Sequence, residues 1–307
     1  PCPDAEEQRR HQRPDKYITG VTLSDGTNDY AVTRSAAAGP IYVAIRPTAS
    51  AAISVTATDG TNNYVKSLTD KTYAASNGYS VSWRMTADPG IPFDNITDSH
   101  KGYYIAKNGK AYSSIDIANQ LSTTVGYICY TGSVDKYFTK FIAIALTNAH
   151  TYAKWYDAFS VVNTFASSNA VTVGTTTYNT NALGNYWDLV SNDTTNPSNS
   201  KGGSLIKGWR LPFVTDWRYI FEGLGNGTPS ATSPVGVDEQ TAYGDGSTLR
   251  SAINTACGNT ELQTYRFWSS SQLASDSRDA WYYHFNISNF RTESKAGQLS
   301  VRAVFAY

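Results

Sequence analysis

The sequence predicts a mostly β chain of two domains, the second of which also contains a few helices. A length of 307 residues is enough for about two domains. The chain contains 22 Tyr residues and is rich in Thr, Ser, Asn and Gly, a mixture that favours strands and turns over long helices. Short runs of alternating apolar and polar residues dominate, and helical spacing of apolar residues occurs only in the later part of the chain.

The first domain is predicted to be a small β-sandwich over residues 16–88. Residues 1–15, which precede it, are polar and charged and are predicted to be a mobile tail that is easily cleaved at its arginines. Turn residues such as Asp59-Gly60 and Asn77-Gly78 separate short β runs. The runs cover residues 41–47, 53–60, 64–68 and 79–85. Strands at this spacing without helical segments are typical of a sandwich.

The boundary between the domains is predicted at residues 89–102. The stretch TADPGIPFDN carries two prolines and a glycine, which are typical of a linker. The second domain, residues 103–307, then opens with a hairpin turned at Asn108-Gly109, followed by strand-like runs at VGYICY and FTKFIAIAL.

Three helices are predicted in the second domain. In the first, apolar residues recur at helical spacing at Tyr152, Trp155, Tyr156, Phe159 and Val162. The second helix follows Pro212 and places Val214, Trp217, Ile220, Phe221 and Leu224 on one face. The third is the segment TLRSAINTAC, which follows Ser247 as the N-cap.

The chain ends in a strand with two different faces. Between residues 280 and 285 the period is two, so Trp281, Tyr283 and Phe285 point one way while Tyr282 and His284 point the other. One face is aromatic and the other is chemically mixed, so we expect the aromatic face to be buried and the mixed face to be exposed. A plain surface strand pair that closes a sheet would show the same pattern.

Composition argues against several classes of function. The net charge is zero and 16% of residues are charged, so the chain carries no electrostatic footprint for nucleic acid or an anionic membrane. No segment approaches the apolar length of a membrane span. The three cysteines, Cys2, Cys129 and Cys257, do not form a disulfide framework, and the last two are expected to be small buried residues. The chain begins at Pro1, and we expect a mature or trimmed form.

Several motifs of the second domain together resemble a known fold. GWRLP…DW, FWSSS, AW and the terminal VRAVFAY are similar to the GWRLPT..EW, YWSS, AW and VRPVRAF of the C-type-lectin-like fold of the formylglycine-generating-enzyme type. The resemblance spans roughly residues 103–307 and implies an α+β, mostly β domain. Phe213 departs from it, because the family often has a capping Ser or Thr there. Trp217, Trp268 and Trp281 are expected to pack in the core, because they belong to the aromatic frame. Arg302 within VRAV is expected to be a structural hydrogen bonder beneath the binding face.

Residues from about 268 to 305 also resemble the variable region of proteins diversified by retroelements. In such proteins an Asn-rich template is mutated at adenines, and an Asn codon changed at its first two bases cannot yield Lys, Glu, Gln, Met or Trp. Glu293 and Gln298 fail this test and are left out. The resemblance implies a ligand-binding face of exchangeable side chains. The candidate ligand-binding residues are Leu273, Asp276, Arg278, Asp279, Tyr282, His284, Ile287, Asn289, Arg291 and Phe305.

The first domain resembles part of a fimbrillin, the type V pilin family, in the strand-rich stretch from IYVAIRP to YSVSWRM. This resemblance implies a pilus-tip subunit at the cell surface, exported through the periplasm and outer membrane. The partner would be a pilin subunit, joined by donor-strand addition to an open sheet.

The sequence therefore predicts a pilus-tip adhesin that binds an unknown protein or glycan ligand, and not an enzyme; no cofactor or metal is expected. One alternative is an enzyme of the formylglycine-generating type that uses Cys129 or Cys257. Ser269, His284 and Asp279 could also be combined on paper into a hydrolytic site. Calcium-lectin motifs are absent, and the four histidines are isolated. A structural surface protein without a ligand is the remaining alternative.

Overall fold

The computed structural model describes residues 18–25, 27–33, 40–60, 63–75, 77, 79, 86–134, 137–183, 206–225, 244–258, 266–273 and 275–307. The chain is mostly β, and it divides into two compact units, Pro1–Pro89 and Gly90–Tyr307. The predicted tail at residues 1–15 lies outside the described residues. None of the helices in the described part is long and apolar enough to cross a membrane.

The described part of the first unit forms one antiparallel sheet. Its strands are β1 (Gly20–Ser24), β2 (Asp29–Thr33), β3 (Thr48–Thr58), β4 (Asn63–Tyr73) and β5 (Thr86–Ala87), in the order β2-β1-β3-β4-β5. The register places Leu23 opposite Val55, so the apolar residues of neighbouring strands share one face. Ile53, Val55 and Tyr73 form a small core there, against which Val21, Leu23 and Ile45 pack.

The described residues of the first unit form a single sheet, so the second sheet that a sandwich needs is not among them. Residues 41–47 were expected to be a strand, but they pair with no strand among the described residues. Alternation alone predicts a strand, whereas a strand also needs a hydrogen-bonding neighbour. Here Ile45 packs on the core while Tyr42 is 85% exposed. Most of the last predicted strand, residues 80–85, lies outside the described residues.

The second unit contains two larger sheets and a short hairpin. Its strands are β6 (Ile91–Pro92), β7 (Tyr104–Ala106), β8 (Lys110–Tyr112), β9 (Thr124–Thr131), β10 (Phe141–Ala145), β11 (His150–Lys154), β12 (Val171–Val173), β13 (Thr176–Tyr178), β14 (Gly208–Arg210), β15 (Arg266–Gln272), β16 (Asp279–His284), β17 (Asn289–Ser294), β18 (Gln298–Val301) and β19 (Val304–Ala306). One sheet has the order β14-β19-β10-β9-β7-β8-β6, the other β11-β18-β15-β16-β17, and β12 pairs with β13.

The helices of the second unit are α1 (Ile115–Leu121), α2 (Trp155–Ser168), α3 (Val214–Gly223) and α4 (Gly246–Cys257). Three were predicted, and the structure shifts two of their starts. Tyr152 belongs to β11 and not to α2, which begins at Trp155. Asp245, two residues before the predicted N-cap, caps α4 by accepting a hydrogen bond from the Ser247 N–H. The short α1 was not predicted.

Apart from Pro89, the predicted linker at residues 89–102 is part of the second unit. β6 pairs with β8, and Phe93 is fully buried. Its ring lies 5.0 Å from that of Phe141, 5.8 Å from that of Phe305 and 5.5 Å from that of Tyr307. Prolines and a glycine do mark a boundary here, but the aromatic residue that follows them anchors the chain in the core.

Helix α3 packs between the two larger sheets of the second unit. On one side, a Cβ added to Gly223 would lie 1.8 Å from the carbonyl oxygen of Cys129 on β9, so helix and strand are in direct contact. On the other side, the Phe221 ring lies 4.5 Å from the ring of Tyr283 on β16. Helix α3, which begins within the motif GWRLP…DW, therefore contacts both sheets.

The absence of a capping Ser or Thr at Phe213 does not move the start of α3. The Val214 N–H donates to Ser271 Oγ at 3.2 Å, and the Phe213 N–H donates to Asp216 Oδ2 at 3.0 Å. Ser271 belongs to β15, so a distant strand supplies the acceptor that a local cap would otherwise provide. The same strand is tied to the helix entrance by the Ser270 N–H, which donates to the Pro212 carbonyl at 2.7 Å.

Candidate ligand-binding face

Strands β15, β16 and β17 bring several candidate residues onto one side of the sheet. His284 lies opposite Arg266 on β15 and opposite Asn289 on β17. Two residues along, Tyr282 lies opposite Trp268 and Arg291 in the same way. Directly opposite residues of an antiparallel pair point to the same side. We call the side that carries Arg266, Tyr282, His284, Asn289 and Arg291 the hairpin face.

The hairpin face is accessible on only part of its width. Trp268 is fully buried, and its indole N–H donates to the Ala153 carbonyl at 2.8 Å. Tyr282 is 6% exposed and Asn289 is 7% exposed. His284 and Arg291 are half-buried, and Arg266 is exposed. The accessible part therefore consists of charged and polar side chains, whereas the aromatic ring of Tyr282 belongs to the packed part.

The opposite side of the same strands is a packed aromatic layer. Tyr283, Phe285 and Phe290 lie against Phe221 of α3, with ring centroids 4.5, 6.0 and 6.4 Å apart. Trp281 is also buried, at 4% exposure. The period-two prediction for β16 is therefore confirmed for the aromatic side, and this layer holds the hairpin face in place.

The turn between β16 and β17 is held by the start of α4. The Gly246 N–H donates to Ser288 Oγ at 2.8 Å, and a Cβ on Gly246 would lie 1.9 Å from the Phe285 carbonyl oxygen. Ser288 adopts a positive φ of 57°. Ile287, one of the candidates, projects from this turn and is 44% exposed. The turn therefore presents an apolar side chain on a fixed backbone.

The accessible part of the hairpin face is electropositive. Arg266 lies 4.0 Å from Glu293 in an exposed ion pair, whereas Arg291 has no carboxylate partner among the described residues. Arg291 Nε and His284 Nδ1 are buried and have no hydrogen-bond partner within the described part of the chain. Burial lowers the pKa of His284 below 6.5, and the charges of Arg266 and Arg291 lower it further. The imidazole is therefore mainly neutral at neutral pH.

A second group of candidates lies in the loop before β16. Arg278, whose side chain is 84% exposed, donates to Asp276 from Nε at 3.0 Å and from Nη2 at 2.6 Å. These hydrogen bonds from Arg278 lower the pKa of Asp276 to about 2. Leu273 and Asp279 are partly buried, and the Leu273 N–H donates to the Asp279 carbonyl. Asp279 and His284 are at opposite ends of β16, about 17 Å apart at 3.3 Å per residue.

This loop is held by a buried lysine that the sequence did not indicate. Lys295 is 3% exposed, and its backbone N–H donates to the Arg278 carbonyl at 2.9 Å. Its ammonium group donates to Gln272 Oε1 and lies 4.2 Å from the centroid of the Trp155 ring. Nine of the ten candidates therefore form two groups, one around the hairpin face and one in the loop, and not a single cluster.

Phe305 was predicted to contact the ligand, and this prediction is wrong. Phe305 is fully buried on β19, an interior strand that pairs with both β10 and β14. Its ring lies 5.2 Å from that of Trp209. A position that satisfies the codon test can still be a core position, because the test does not depend on burial.

Sequence reasoning missed Arg266 and Glu293 of the hairpin face. Arg266 is two residues before Trp268, so period two already places both on the same side of β15. Glu293 was excluded by the codon test, although it is two residues from Arg291 on β17. Alternation along the neighbouring strands was the available signal.

The described residues assemble neither a Ser-His-Asp site nor a cysteine pair with a metal site. His284 and Asp279 are too far apart for a Ser-His-Asp site, and Ser269 Oγ donates to the Trp281 carbonyl. Cys129 and Cys257 are buried and not disulfide-bonded, and burial raises the pKa of the Cys129 thiol. Among the described residues, no three His, Cys, Asp or Glu side chains are grouped so as to hold a metal ion.

Arg302 has the structural role expected of it. It is fully buried, and its guanidinium donates to Asn148 Oδ1 at 2.9 Å and to the Leu146 carbonyl at 2.8 Å. Its Nη2 also lies 3.1 Å from the sulfur of Cys257. These contacts join the end of the chain to the loop after β10 and to the end of α4.

No protein-family model matches the chain, and no curated protein matches it. Among solved structures, a fimbrial protein from Bacteroides ovatus ATCC 8483 matches with 12% sequence identity and a TM-score of 0.34. The match covers 95% of this chain and 65% of that one, so this chain spans just under two thirds of the length of its neighbour. At this identity and TM-score, the function of the chain has to be argued from its own residues.

Proposed function

We propose that the chain is a cell-surface adhesin whose first unit joins a pilus and whose hairpin face binds a ligand. The binding is non-covalent recognition by side chains that a packed aromatic layer holds in place. The motifs of the second unit, which resemble the C-type-lectin-like fold, support this proposal, as does the resemblance of the first unit to fimbrillins.

The observation that carries the proposal is the state of Arg291 and His284. Each has a buried nitrogen without a protein partner among the described residues, and the two side chains lie on neighbouring strands. Buried polar atoms are nearly always hydrogen-bonded in folded proteins, so those that are not need an explanation. A ligand that meets these two half-buried side chains as they turn outward would supply the missing partners.

We also propose that residues 268–305 are diversified by a retroelement. The most exposed candidates, Arg278 and Ile287, lie outside strands, where a change of side chain disturbs little packing. The genome supplies the test. A neighbouring reverse-transcriptase gene with a near-copy of the coding sequence for these residues, differing at adenines, would support diversification, and the absence of both would contradict it.

Adhesion is tested with beads coated with the full chain and applied to panels of cells and immobilised glycans. Binding by the wild type should be lost in a double variant, His284→Ala with Arg291→Ala. It should persist in Lys154→Ala, which removes an exposed charge from β11 at the other edge of the same sheet. If the wild type and the double variant are both folded and bind equally, the hairpin face is not the ligand-binding site.

Assembly into a pilus through donor-strand addition is a separate proposal. Of the described strands, β2 pairs only with β1 and lies at one end of its sheet. An added strand would extend such an edge through main-chain hydrogen bonds. The chain should then be detected in sheared pili from cells that produce it with pilin subunits. If the cells carry pili but the chain is recovered only from the cell envelope, the proposal of pilus assembly is contradicted.

A further inference from the structure

We propose that the hairpin face recognises a protein that presents Asp or Glu carboxylates, with Arg291 as the main anchor. This inference rests on the proposed adhesin function and names the chemistry of its ligand. It follows from the charge, the hydrogen-bonding capacity and the exposed surface of the face.

The charge of the face favours an anionic partner. Arg266 and Arg291 contribute two positive charges, and Glu293 contributes one negative charge that lies beside Arg266. Because Glu293 offsets Arg266, the uncompensated charge is that of Arg291. A partly buried charge is screened by salt much less than an exposed one, so this charge attracts an opposite charge strongly.

The geometry favours a carboxylate over other anions. A guanidinium is a planar fork whose Nε–H and Nη–H groups donate to the two oxygens of a carboxylate in parallel. Arg291 Nε has no protein acceptor among the described residues, but it is buried, so the half-buried side chain has to turn outward before this edge of the fork meets a carboxylate. Arg278 shows the same fork in use, since it binds both oxygens of Asp276.

His284 is placed to take part in the same contact. His284 lies opposite Asn289, and Arg291 is two residues further along β17. Residues in this diagonal relation are separated by about 7–8 Å, a distance that long side chains can span. Its Nδ1 also has no partner within the described residues. A carboxylate held by Arg291 is therefore near enough to accept a hydrogen bond from His284. Its negative charge would also oppose the effects that keep the imidazole neutral, which are burial first and the charges of Arg266 and Arg291 second.

The exposed surface favours a protein over an acidic glycan. Sugar rings are commonly held by stacking on an open aromatic side chain, and the rings of Trp268 and Tyr282 on the hairpin face are almost completely buried. At the same end of the hairpin, Ile287 supplies an exposed apolar side chain. An arginine anchor beside an apolar contact is typical of protein interfaces.

The test uses the full chain and three soluble probes, namely a deca-glutamate peptide, a deca-lysine peptide and oligosialic acid. Binding is followed by NMR of the His284 imidazole and by calorimetry. We expect the glutamate peptide to bind, the lysine peptide not to bind, and the pKa of His284 to rise in the complex. Arg291→Gln should weaken binding about tenfold or more, since the loss of a charge-assisted fork is of this order. Lys154→Gln should leave it within about twofold.

Several outcomes would overturn the inference. Binding of oligosialic acid without binding of the glutamate peptide would assign the face to an acidic glycan. Equal affinities for Arg291→Gln and the wild type, with both proteins folded by circular dichroism, would remove Arg291 as the anchor. If Arg291→Gln does not fold, Arg291→Lys takes its place, since it keeps the charge but lacks the planar fork, and wild-type affinity in that variant would contradict a role for the fork. If beads adhere but the glutamate peptide neither binds nor competes, the carboxylate inference fails while the adhesin proposal stands. If no cell or glycan retains the beads, the adhesin proposal itself fails.

Discussion

Arg210 and Asp216 form an ion pair in which both side chains are completely buried, with Nη2 2.7 Å from Oδ1 and Nε 3.0 Å from Oδ2. Asp216 also accepts from the Phe213 N–H, and Arg210 Nη1 donates to the carbonyls of Tyr137 and Ile206. The pair therefore links the start of α3 to β14 and to two loops.

Replacement of Asp216 by Ala should destabilise the second unit by about 3–5 kcal/mol, because it leaves the Arg210 guanidinium buried without its counter-ion. Urea unfolding followed by Trp fluorescence measures the loss. Asp276→Ala is the matched control, since it breaks an exposed Asp–Arg pair, and the midpoint of unfolding should hardly move. Similar losses in the two variants would show that burial does not decide the importance of these pairs.

Tyr282 belongs to the packed layer although it shares the hairpin face with His284. Alternation predicts that Tyr282, His284 and Arg291 can be replaced together without loss of stability, but Tyr282 is 6% exposed and its ring lies 6.2 Å from that of Trp268. Tyr282→Ala should cost roughly 3 kcal/mol, close to the 3–5 kcal/mol expected for Trp281→Ala. His284→Ala should cost little by the same thermal or urea unfolding measurement. If Tyr282→Ala is as stable as the wild type, the Tyr282 ring does not contribute to the packed layer.

The sequence predicted the sides of β16 correctly but not their burial. Period two depends on the backbone of the strand alone, so it correctly assigned Tyr283 and Phe285 to one side and His284 to the other. Burial depends on what lies over each side, and Trp268 of β15, which covers Tyr282, comes from another strand. Phe305 was misplaced for the same reason, since only the strand order shows that β19 is interior.

The second helix shows what spacing can and cannot provide. Apolar residues at helical spacing predicted α3 almost to the residue. Its cap could not be predicted, because Ser271 is 57 positions away from Val214 along the chain. The prediction that residues 89–102 are a linker was wrong for a different reason. Local turn chemistry was recognised correctly there, but the burial of Phe93 depends on Phe141 and on the end of the chain.

His284 should make the stability of the folded chain fall as the pH is lowered. Its pKa in the folded chain lies below 6.5, so the unfolded chain binds the proton first as the pH falls. Its contribution to the free energy of unfolding is therefore constant above the unfolded pKa, declines as the pH falls through 6.5, and levels off below the folded pKa. The charged groups described around it are Arg266, Arg291 and Glu293.

Unfolding by urea at several values between roughly pH 5 and pH 8 measures this effect, a range set by the ordinary titration of histidine. His284→Gln should show a weaker decline toward acid pH than the wild type. The other three histidines and all carboxylates are present in both proteins, so the difference between the two profiles isolates His284. Parallel profiles would show that the environment of the imidazole does not disfavour its charged form.

Gly246 couples helix α4 to the turn that presents Ile287. A Cβ at this position would lie 1.9 Å from the carbonyl oxygen of Phe285, a distance that backbone atoms cannot accept without moving. Gly246→Ala should therefore displace the turn, lower stability and weaken ligand binding through Ile287 and His284. Gly258→Ala at the other end of α4 is the control. Its Cβ would meet nothing within 4 Å, and only its φ of 66° opposes the change, at a cost of about 1–2 kcal/mol.

The two variants are compared by urea unfolding and by adhesion of coated beads, under conditions where both remain folded. Gly258→Ala should lose stability and keep wild-type adhesion, because its strain stays at the end of the helix. Gly246→Ala should lose adhesion even where it is fully folded, since its clash is with the backbone that carries the hairpin face. If Gly246→Ala adheres as well as the wild type, the position of this turn does not control binding, and Ile287 is not part of the contact.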